Sequence, residues 1–387
     1  MNRLLIDEEF NALRDVVFAD VSHVVIPPKS VLEAYRSFTD GYVENFGENC
    51  VETAWSIVGD ARKNVAQLLN AEESGIAFVK NTAEGMGIIS NGYPFSTGDK
   101  IIVCDQEHPS NLFPWIHLKE RKGIILDVVK SGSDMDLSEE EYIRRIDDST
   151  KAVVLSSTQF TTGVRIDLEK IGDECRKKGV LLIVDAIQGI GRHVLDVKKM
   201  NISWLACGSN KGLLSMLGCG FIYCDPTLIK KIIPPYAGYQ SVENTAPPPA
   251  MIDDFDRIHW KDDAKRFEAG NLNYAGIAAI NAGVKLLNTL GIADIEAHIL
   301  DLEKNILKKL SHLDLNFRTP IHNIKHHSGI ICMYYKKEYE EKVKTILCKY
   351  KIYATFRGGY IRLGLNFYNK AEHVDLIVKA LEEIAAL

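Results

Sequence analysis

The sequence of 387 residues lacks the cysteine patterns that form disulfide frameworks or zinc sites. Its eight cysteines include no CxxC pair and do not cluster with histidines. We therefore interpret them as buried structural thiols and expect no metal site. Long hydrophobic runs are also missing: none approaches the roughly 20 residues needed to cross a bilayer. The sequence thus predicts no association with a membrane.

An excess of positive charge is missing too. The formal net charge is -6 and the pI is about 6.0, which argues against nucleic acid as the main partner. The N-terminal segment MNRLLIDEEFNALRD becomes acidic too early for a secretory signal. We therefore expect a cytoplasmic protein. Hydrophobic residues make up 46% of the chain, enough for a sizeable core.

Short hydrophobic runs alternate with helical patterns through the first two thirds of the chain. The runs that predict strands are 75–79, 100–104, 123–129, 151–156, 180–185, 203–207 and 219–223. Helices are predicted between several of them, for example over 112–122 and over 167–178, where Asp167 should cap the first turn. Continuous apolar strands separated by helices are typical of a mostly parallel sheet covered on both faces. We predict an α/β fold with a seven-stranded sheet between helices.

The pattern changes after Pro226 and the proline-rich segment 246–250. Further helices are predicted over 275–290, 293–311 and 370–385, and further strands over 328–334, 352–356 and 360–364. This mixture indicates a smaller α+β domain towards the C-terminus. We expect the large domain to comprise residues 20–274, and the small domain residues 1–19 and 275–387.

Polar residues follow the predicted strands, where open parallel sheets bind their ligands. One of them is Lys211, in the stretch GSNKG, which apolar runs flank on both sides. Burial lowers the pKa of a lysine and makes its amine available as a nucleophile. A nucleophilic lysine, the strand-end Asp185, and a helix opened by Thr82 and Ala83 together indicate a pyridoxal phosphate site. Each residue also has a purely structural interpretation: Lys211 as a surface lysine, Asp185 as a helix cap, and His108 as an ordinary loop histidine.

Six blocks of the sequence resemble the class V aminotransferase group of fold-type I pyridoxal phosphate enzymes. The blocks are NTAEGMGIISNG, DQEHPSNLFPW, TTGVRIDLEKIGDECRKKGVLLIVDAIQGIGRHVLDV, GSNKGLLSMLGCGFIY, RFEAGNLNYAGIAAI and IRLGLNFYNKAEHVD. They follow one another in the group's order and spacing, and the resemblance extends from about residue 30 to residue 385. The group includes cysteine desulfurase, selenocysteine lyase, cystine C–S lyase and isopenicillin N epimerase. The resemblance implies a fold-type I architecture and pyridoxal 5'-phosphate as cofactor.

The resemblance also implies roles for individual residues. Lys211 would carry the cofactor as a Schiff base and move the proton at the substrate's alpha carbon. Asp185 would pair with the pyridine nitrogen, and His108 would stack on the ring; these three form the expected catalytic set. The other implied cofactor contacts are Gln188 at the ring hydroxyl, and Thr82, Ala83, Ser209, Asn210 and Asn271 at the phosphate.

Two further implications concern assembly and substrate. Asn271 would reach the phosphate from a second subunit, so the resemblance implies a homodimer. Arg362 would bind the carboxylate of an amino-acid substrate through its guanidinium. Arg357 would either contact the substrate or form an ion pair on the small domain. His23 is a further candidate that could face the active site from the N-terminal segment.

The chain departs from the resembled desulfurases in several places. Asn210 stands where the group often has histidine, and Phe160 where desulfurases carry an asparagine. Desulfurases also have a nucleophilic cysteine on a loop that is reduced here to RGGYIR, residues 357–362. We therefore expect no persulfide mechanism.

The function predicted from the sequence is that of an enzyme acting on an amino acid through an external aldimine and an alpha-carbanion. The favoured outcome is a C–S lyase that works by beta-elimination. An aminotransferase is the alternative. An amino-acid epimerase and a pyridoxal phosphate-binding protein without turnover stay open.

Overall fold

The computed structural model describes residues 1–45, 47, 50–243 and 256–387, without the side chains of Val51 and Arg357. The strands are β1 (Val17–Phe18), β2 (Ile76–Val79), β3 (Lys100–Cys104), β4 (Ile125–Val129), β5 (Thr150–Ser156), β6 (Leu181–Asp185), β7 (Trp204–Gly208), β8 (Gly220–Cys224), β9 (Ile330–Tyr334), β10 (Ile352–Tyr353), β11 (Thr355–Arg357) and β12 (Tyr360–Gly364). The α-helices are α1 (Arg3–Glu9), α2 (Lys29–Glu44), α3 (Cys50–Leu69), α4 (Thr82–Gly92), α5 (Pro109–Lys122), α6 (Glu139–Arg145), α7 (Leu168–Lys178), α8 (Tyr274–Leu290), α9 (Ile292–Leu310), α10 (Glu340–Lys349) and α11 (Ala371–Ala385).

A seven-stranded sheet with the spatial order β2-β8-β7-β6-β5-β3-β4 forms the centre of the protein. Strand β8 runs antiparallel to both of its neighbours, and the other pairs are parallel. Every residue of β6, β7 and β8 is buried, which explains their uninterrupted hydrophobic sequence. The predicted mostly parallel seven-stranded α/β sheet is confirmed. Because parallel strands end at one edge, the residues that follow β3, β5, β6 and β7 meet there.

Two helices next to this edge begin at side-chain caps. Asp167 accepts a hydrogen bond of 3.1 Å from the backbone N–H of Lys170, as expected for the start of α7. Helix α5 starts at Pro109, three residues before the predicted start, because Nδ1 of His108 accepts a hydrogen bond of 3.1 Å from the N–H of Ser110. Proline suits the first position of a helix. The cap holds the His108 ring beside the sheet edge.

Two small sheets hold both ends of the chain together. Strands β11, β12 and β9 form an antiparallel sheet, and β1 pairs with β10 in parallel. The predicted strand over 352–356 is therefore interrupted at Ala354, since its two halves pair with different partners. The pairing of β1 with β10 joins the N-terminal residues to the C-terminal part. The domain boundaries at residues 19/20 and 274/275 stay a prediction.

Neither a metal-binding cluster nor a single helix able to cross a membrane occurs among the residues that the structure describes. No group of three or more histidine, cysteine, aspartate or glutamate side chains there could hold a metal ion. No single described helix is long and apolar enough to cross a bilayer. Helices α8 and α9 meet that test of length and composition only as a pair bent by 78°.

A buried histidine connects the chain after β4 to the segment before β9. His326 is 6% exposed, and its ring nitrogens contact Asp136 Oδ1 and Glu139 Oε1. Burial alone would lower the pKa of His326, but the hydrogen bonds to these two carboxylates outweigh it and raise the pKa to about 9. The same bonds outweigh burial at Asp136 and Glu139 and lower their pKa. The cluster is therefore an ion triad near neutral pH.

Raising the pH from about 6 to about 10 is expected to remove the stabilisation that the charge of His326 provides. Because its pKa is higher in the folded state than the ordinary 6.5, the contribution is complete below that value and is lost as the pH passes about 9. At about 1.4 kcal/mol per pKa unit, the contribution is on the order of 3 kcal/mol. Denaturant unfolding of the wild type and of His326→Gln across this range measures it. A free-energy difference that stays constant with pH would contradict the assignment.

Candidate functional site

A cleft of about 330 Å³, counted to its open mouth, lies at the carboxyl edge of the central sheet. The residues that line it are Thr82, His108, Ser110, Ser156, Thr158, Phe160, Asp185, Ile187, Gln188 and Lys211. The structure thus brings together five residues that the sequence singled out: Thr82, His108, Asp185, Gln188 and Lys211.

Asp185 is the last residue of β6 and is only 2% exposed. Its Oδ1 accepts a hydrogen bond of 3.0 Å from the backbone N–H of Ile187. Burial raises the pKa of this carboxyl, and the negative charge of Glu107 raises it further, against the lowering effects of the Ile187 N–H and the Lys211 amine. A carboxyl in this state readily shares a proton with a basic ring nitrogen.

Lys211 follows β7, and its chain enters the cleft opposite Asp185. Burial lowers the pKa of its amine, and the positive charges of Arg362 and Arg192 act in the same direction, whereas Asp185 raises it. The result is an amine that loses its proton more easily than a surface lysine. That is the state required of an amine nucleophile.

His108 forms one side of the cleft and meets the ring of Phe160 edge to face, with ring centroids 4.8 Å apart. Burial lowers the pKa of His108, and the charges of Lys211 and Arg362 add to this effect. Since Nδ1 already accepts the Ser110 N–H, the neutral ring carries its proton on Nε2. A neutral, fixed imidazole is suited to packing against a planar ligand.

The N-terminus of α4 provides the expected anion site. Asn81 caps the helix by accepting the N–H of Glu84 at 2.9 Å, and Thr82 Oγ1 accepts the N–H of Gly208 at 3.0 Å. The second bond ties the start of α4 to the end of β7. The N–H groups of Thr82 and Ala83 have no acceptor within the helix, because they belong to its first turn. They are available to a phosphate group.

Ser209 and Asn210 follow β7 directly. The buried hydroxyl of Ser209 lies within hydrogen-bond distance of the carbonyl oxygens of Met216 and Cys219, at 2.7 and 2.8 Å, and shares its one proton between them. The expected contacts of both residues with a phosphate stay a prediction. The carbonyl oxygen of Asn210 accepts the N–H of Val25 at 2.9 Å.

Gln188 provides the test of whether the cleft fits a ligand. Its Nε2 donates to the carbonyl oxygen of Ser22 at 2.9 Å, and its buried Oε1 has no hydrogen-bond partner among the described residues. Burying an unpaired acceptor is unfavourable, so the site suits a ligand that brings a hydroxyl group to this point. A ring with a hydroxyl, a basic nitrogen and a phosphate matches Gln188, Asp185 and the start of α4. The residues present therefore fit pyridoxal phosphate.

Asn271 does not join this cleft. It is exposed and lines a separate cleft between β2 and the segment 267–273, together with Lys80 and Glu84. Glu268 fixes that segment, because its carboxylate pairs with the buried Arg62 at 2.9 Å and accepts the N–H of Phe78 at 2.8 Å. The expected contact of Asn271 with the phosphate of a second subunit stays a prediction.

Arg362 lies on β12 and is 5% exposed. Its Nη1 donates to the carbonyl oxygen of Phe160 at 2.9 Å and its Nη2 to Thr355 Oγ1 at 3.3 Å. These bonds hold the guanidinium next to Phe160, which lines the cleft. The side chain of Arg357 lies outside the described residues, so its expected role stays a prediction.

The turn between β11 and β12 consists of Gly358 and Gly359 alone. Strand pairing continues up to Arg357 and Tyr360, and the two glycines have φ values of 63° and 87°. Residues other than glycine rarely adopt two successive positive φ values. The hairpin therefore has a two-residue loop, the short type that directly connects antiparallel strands.

Sequence reasoning missed Glu107, which is buried behind Asp185. Its carboxylate accepts hydrogen bonds from the N–H and hydroxyl of Ser156, from Gln159 Nε2 at 2.8 Å and from Asn111 Nδ2 at 2.7 Å. These donors fix the carboxylate of Glu107, and it raises the pKa of Asp185. An acidic residue between a buried strand and His108 was the available signal, but Ser156 and Gln159 come from a segment about 50 positions further along the chain.

Comparison with known proteins places the chain among relatives of the same length. The family model described as "Aminotransferase class-V" matches residues 25–377. A protein of Pyrococcus abyssi named "Probable cysteine desulfurase" is 27% identical over 96% of this chain and 94% of its own.

Two solved structures have the same fold. The cysteine desulfurase of Thermococcus onnurineus NA1 superposes with a TM-score of 0.88 at 24% identity, covering 99% of this chain and 98% of its own. A cystine C–S lyase, solved with its product cysteine persulfide, superposes with a TM-score of 0.86 at 20% identity, covering 97% and 99%. At these identities the superpositions establish the fold.

Proposed function

Because the chain belongs to the class V aminotransferase family of pyridoxal phosphate enzymes, we propose that it cleaves the β-carbon–sulfur bond of a cysteine-like amino acid. The cofactor, when bound, withdraws electrons from the substrate's α-carbon. The N–H groups of Thr82 and Ala83 would hold its phosphate, and Asp185 would keep a proton at its ring nitrogen. Lys211 Nζ would hold the cofactor until the substrate amine displaces it, and the freed amine would then take the α-proton of the substrate. Arg362 holds the substrate carboxylate.

The observation that carries this proposal is the two-glycine turn beside Arg362. The relatives named for cysteine desulfuration and cystine cleavage support a sulfur-containing amino acid as substrate. In this chain the turn offers no thiol to receive the sulfur. Buried cysteines are poor replacements, because burial raises the pKa of the thiols, as at Cys104 and Cys207. Sulfur would then leave with its own substituent, and the three-carbon remainder would become pyruvate and ammonia.

Product analysis tests the proposal. The holoenzyme is incubated with L-cysteine or an S-alkyl-L-cysteine, and pyruvate, ammonia and the released sulfide or thiol are measured. Equal amounts of the three are expected. Cys348→Ala, which removes the exposed thiol of α10, should leave the rate unchanged. If the wild type forms a persulfide on the protein and Cys348→Ala does not, the proposal of elimination without persulfide chemistry is wrong.

Transamination is the second candidate, favoured by the family description itself. The same cofactor chemistry serves both outcomes, and the fold does not choose between them. Supplying a keto acid with each amino acid separates them. Amino transfer to the keto acid without pyruvate from an S-alkylcysteine would replace the lyase proposal with an aminotransferase.

We also propose a homodimer with a site shared between subunits, supported by the separation of Asn271 from Lys211. Mixing inactive Lys211→Ala with Asn271→Ala chains, under conditions of subunit exchange, should restore activity. Half of the dimers would then carry one intact site, which gives about a quarter of the wild-type activity. Activity after exchange and the mass of the complex in solution are the measurements. Mixed chains no more active than Asn271→Ala alone would contradict a shared site.

A cytoplasmic location is part of the proposal as well. All eight cysteines are free, and free thiols are typical of reducing compartments. Fractionation of the producing cells, with detection of the protein in the cytosolic fraction, tests it.

A further inference from the structure

The N-terminal segment 20–25 is bonded to Gln188, which lines the cleft, and to Asn210, the neighbour of Lys211, and it is fixed on both sides. The carbonyl oxygen of Ser22 accepts from Gln188 Nε2 at 2.9 Å, and the N–H of Val25 donates to the carbonyl oxygen of Asn210 at 2.9 Å. On the other side, Asp20 forms a parallel bridge with Gly364. Ser22 packs so closely on Gly364 that a side chain there would not fit. The segment therefore has a set position beside Lys211 and β12.

Within this segment, His23 stands next to a carboxylate. Its Nδ1 is 3.5 Å from Asp20 Oδ2, and Asp20 Oδ1 accepts the hydroxyl proton of Thr355 at 2.6 Å. Thr355 Oγ1 in turn accepts from Arg362. The pair is thus connected to the residue that would hold the substrate carboxylate. The negative charge of Asp20 also reaches Lys211, whose pKa it raises against the effect of burial.

His23 differs from Asp20 in its exposure. The His23 side chain is 63% exposed and that of Asp20 only 16%. Asp20 is therefore held in place, while most of the His23 side chain is accessible to solvent. An accessible histidine with a carboxylate near one ring nitrogen is suited to act as a general acid.

We propose that His23 is the acid that protonates the sulfur leaving group, an inference that rests on the proposed C–S lyase function. As the Cβ–S bond breaks, its electron pair stays on sulfur. The proton on His23 Nε2 moves to that sulfur, and a neutral thiol leaves. Asp20 holds the imidazole in the productive orientation, and the imidazole regains a proton from water. Overall, an S-alkylcysteine and water give the thiol, pyruvate and ammonium.

Two substrates with different leaving groups test this assignment. S-ethyl-L-cysteine releases a thiolate that benefits from protonation, whereas β-chloro-L-alanine releases chloride, which does not. In the holoenzyme, His23→Ala should lower kcat for S-ethylcysteine by roughly 10²-fold, the effect of losing one general acid, and kcat for chloroalanine by no more than about 3-fold. Asp20→Asn should show the same selectivity with a smaller loss.

The matched control is His322→Ala, which removes another exposed histidine paired with an aspartate. His322 Nε2 lies 3.2 Å from Asp134, and its side chain is 60% exposed, so this change should affect neither substrate. Binding is checked separately by titrating the visible absorption band of each holoenzyme with L-alanine, which cannot eliminate a β-substituent. His23→Ala should bind the cofactor and L-alanine like the wild type.

Three results would overturn the assignment. Equal losses with both substrates, or no loss with either, would show that His23 does not protonate sulfur. Weaker cofactor or alanine binding that accounts for the whole loss would make His23 a structural residue. If the wild type eliminates from neither substrate, the proposed lyase function fails and the inference fails with it.

Discussion

Replacing Lys211 with alanine will abolish turnover, with a loss of at least ~10³-fold in kcat. The change removes both the amine that binds the cofactor aldehyde and the group that moves the α-proton. Borohydride reduction of the wild-type holoenzyme, followed by peptide mapping, should place the reduced cofactor on Lys211. Loss of the label and of activity in the same variant is the expected result.

The matched control for this experiment is Lys130→Ala. Lys130 directly follows β4 at the same sheet edge, but its side chain is 73% exposed and faces Asp105. The control should keep full activity and normal labelling. A Lys211→Ala protein that retains turnover, or a label on a different lysine, would disprove the cofactor assignment and every proposal that depends on it.

The second large effect is expected for Asp185→Asn, which should lower kcat by roughly 10²–10³-fold. Asparagine keeps the size of the side chain and can still accept the N–H of Ile187. It cannot keep a proton shared with the ring nitrogen, so the cofactor loses much of its ability to take up electrons. Steady-state kinetics, together with the cofactor affinity measured from the absorption band, report the effect.

Asp225→Asn is the control, because Asp225 repeats the local geometry of Asp185. It follows β8, and its Oδ1 accepts the N–H of Thr227 at 2.8 Å, compared with 3.0 Å for Asp185 and Ile187. This change should not alter kcat. Equal losses in the two variants would mean that the strand-end turn, and not the charge of Asp185, matters for activity.

The central sheet could be predicted from the sequence because most of its strands are buried on both faces; in the edge strand β4 only Val129 is buried. Each of the seven strands begins and ends within two residues of the limits of a predicted strand. Continuous hydrophobic sequence is typical of a buried parallel strand. The positions of Asp185 and Lys211 were predictable for the same reason: strand ends gather at one edge.

Contacts between distant segments could not be predicted. The strand is interrupted at Ala354 because β10 pairs with β1 and β11 pairs with β12. Helix α5 starts early because the ring of His108 caps it. Glu107 gave only a weak local signal, because two of its donors, Ser156 at the end of β5 and Gln159, lie about 50 positions further along the chain. The local sequence indicates burial and periodicity, whereas contacts between distant segments form only when the chain folds.

The joining of the two chain ends has a consequence for biosynthesis. Strand β1 pairs with β10, and Thr355 binds Asp20 across 335 positions of sequence. A ribosome-bound chain therefore contains Lys211 and Asp185 long before the mouth of the cleft can exist. Domains fold as units during synthesis, and contacts between distant positions form late. Cofactor capture in its final geometry must wait until the segment around Thr355 has left the ribosome, so a product that ends before it would carry the reactive lysine without its enclosure.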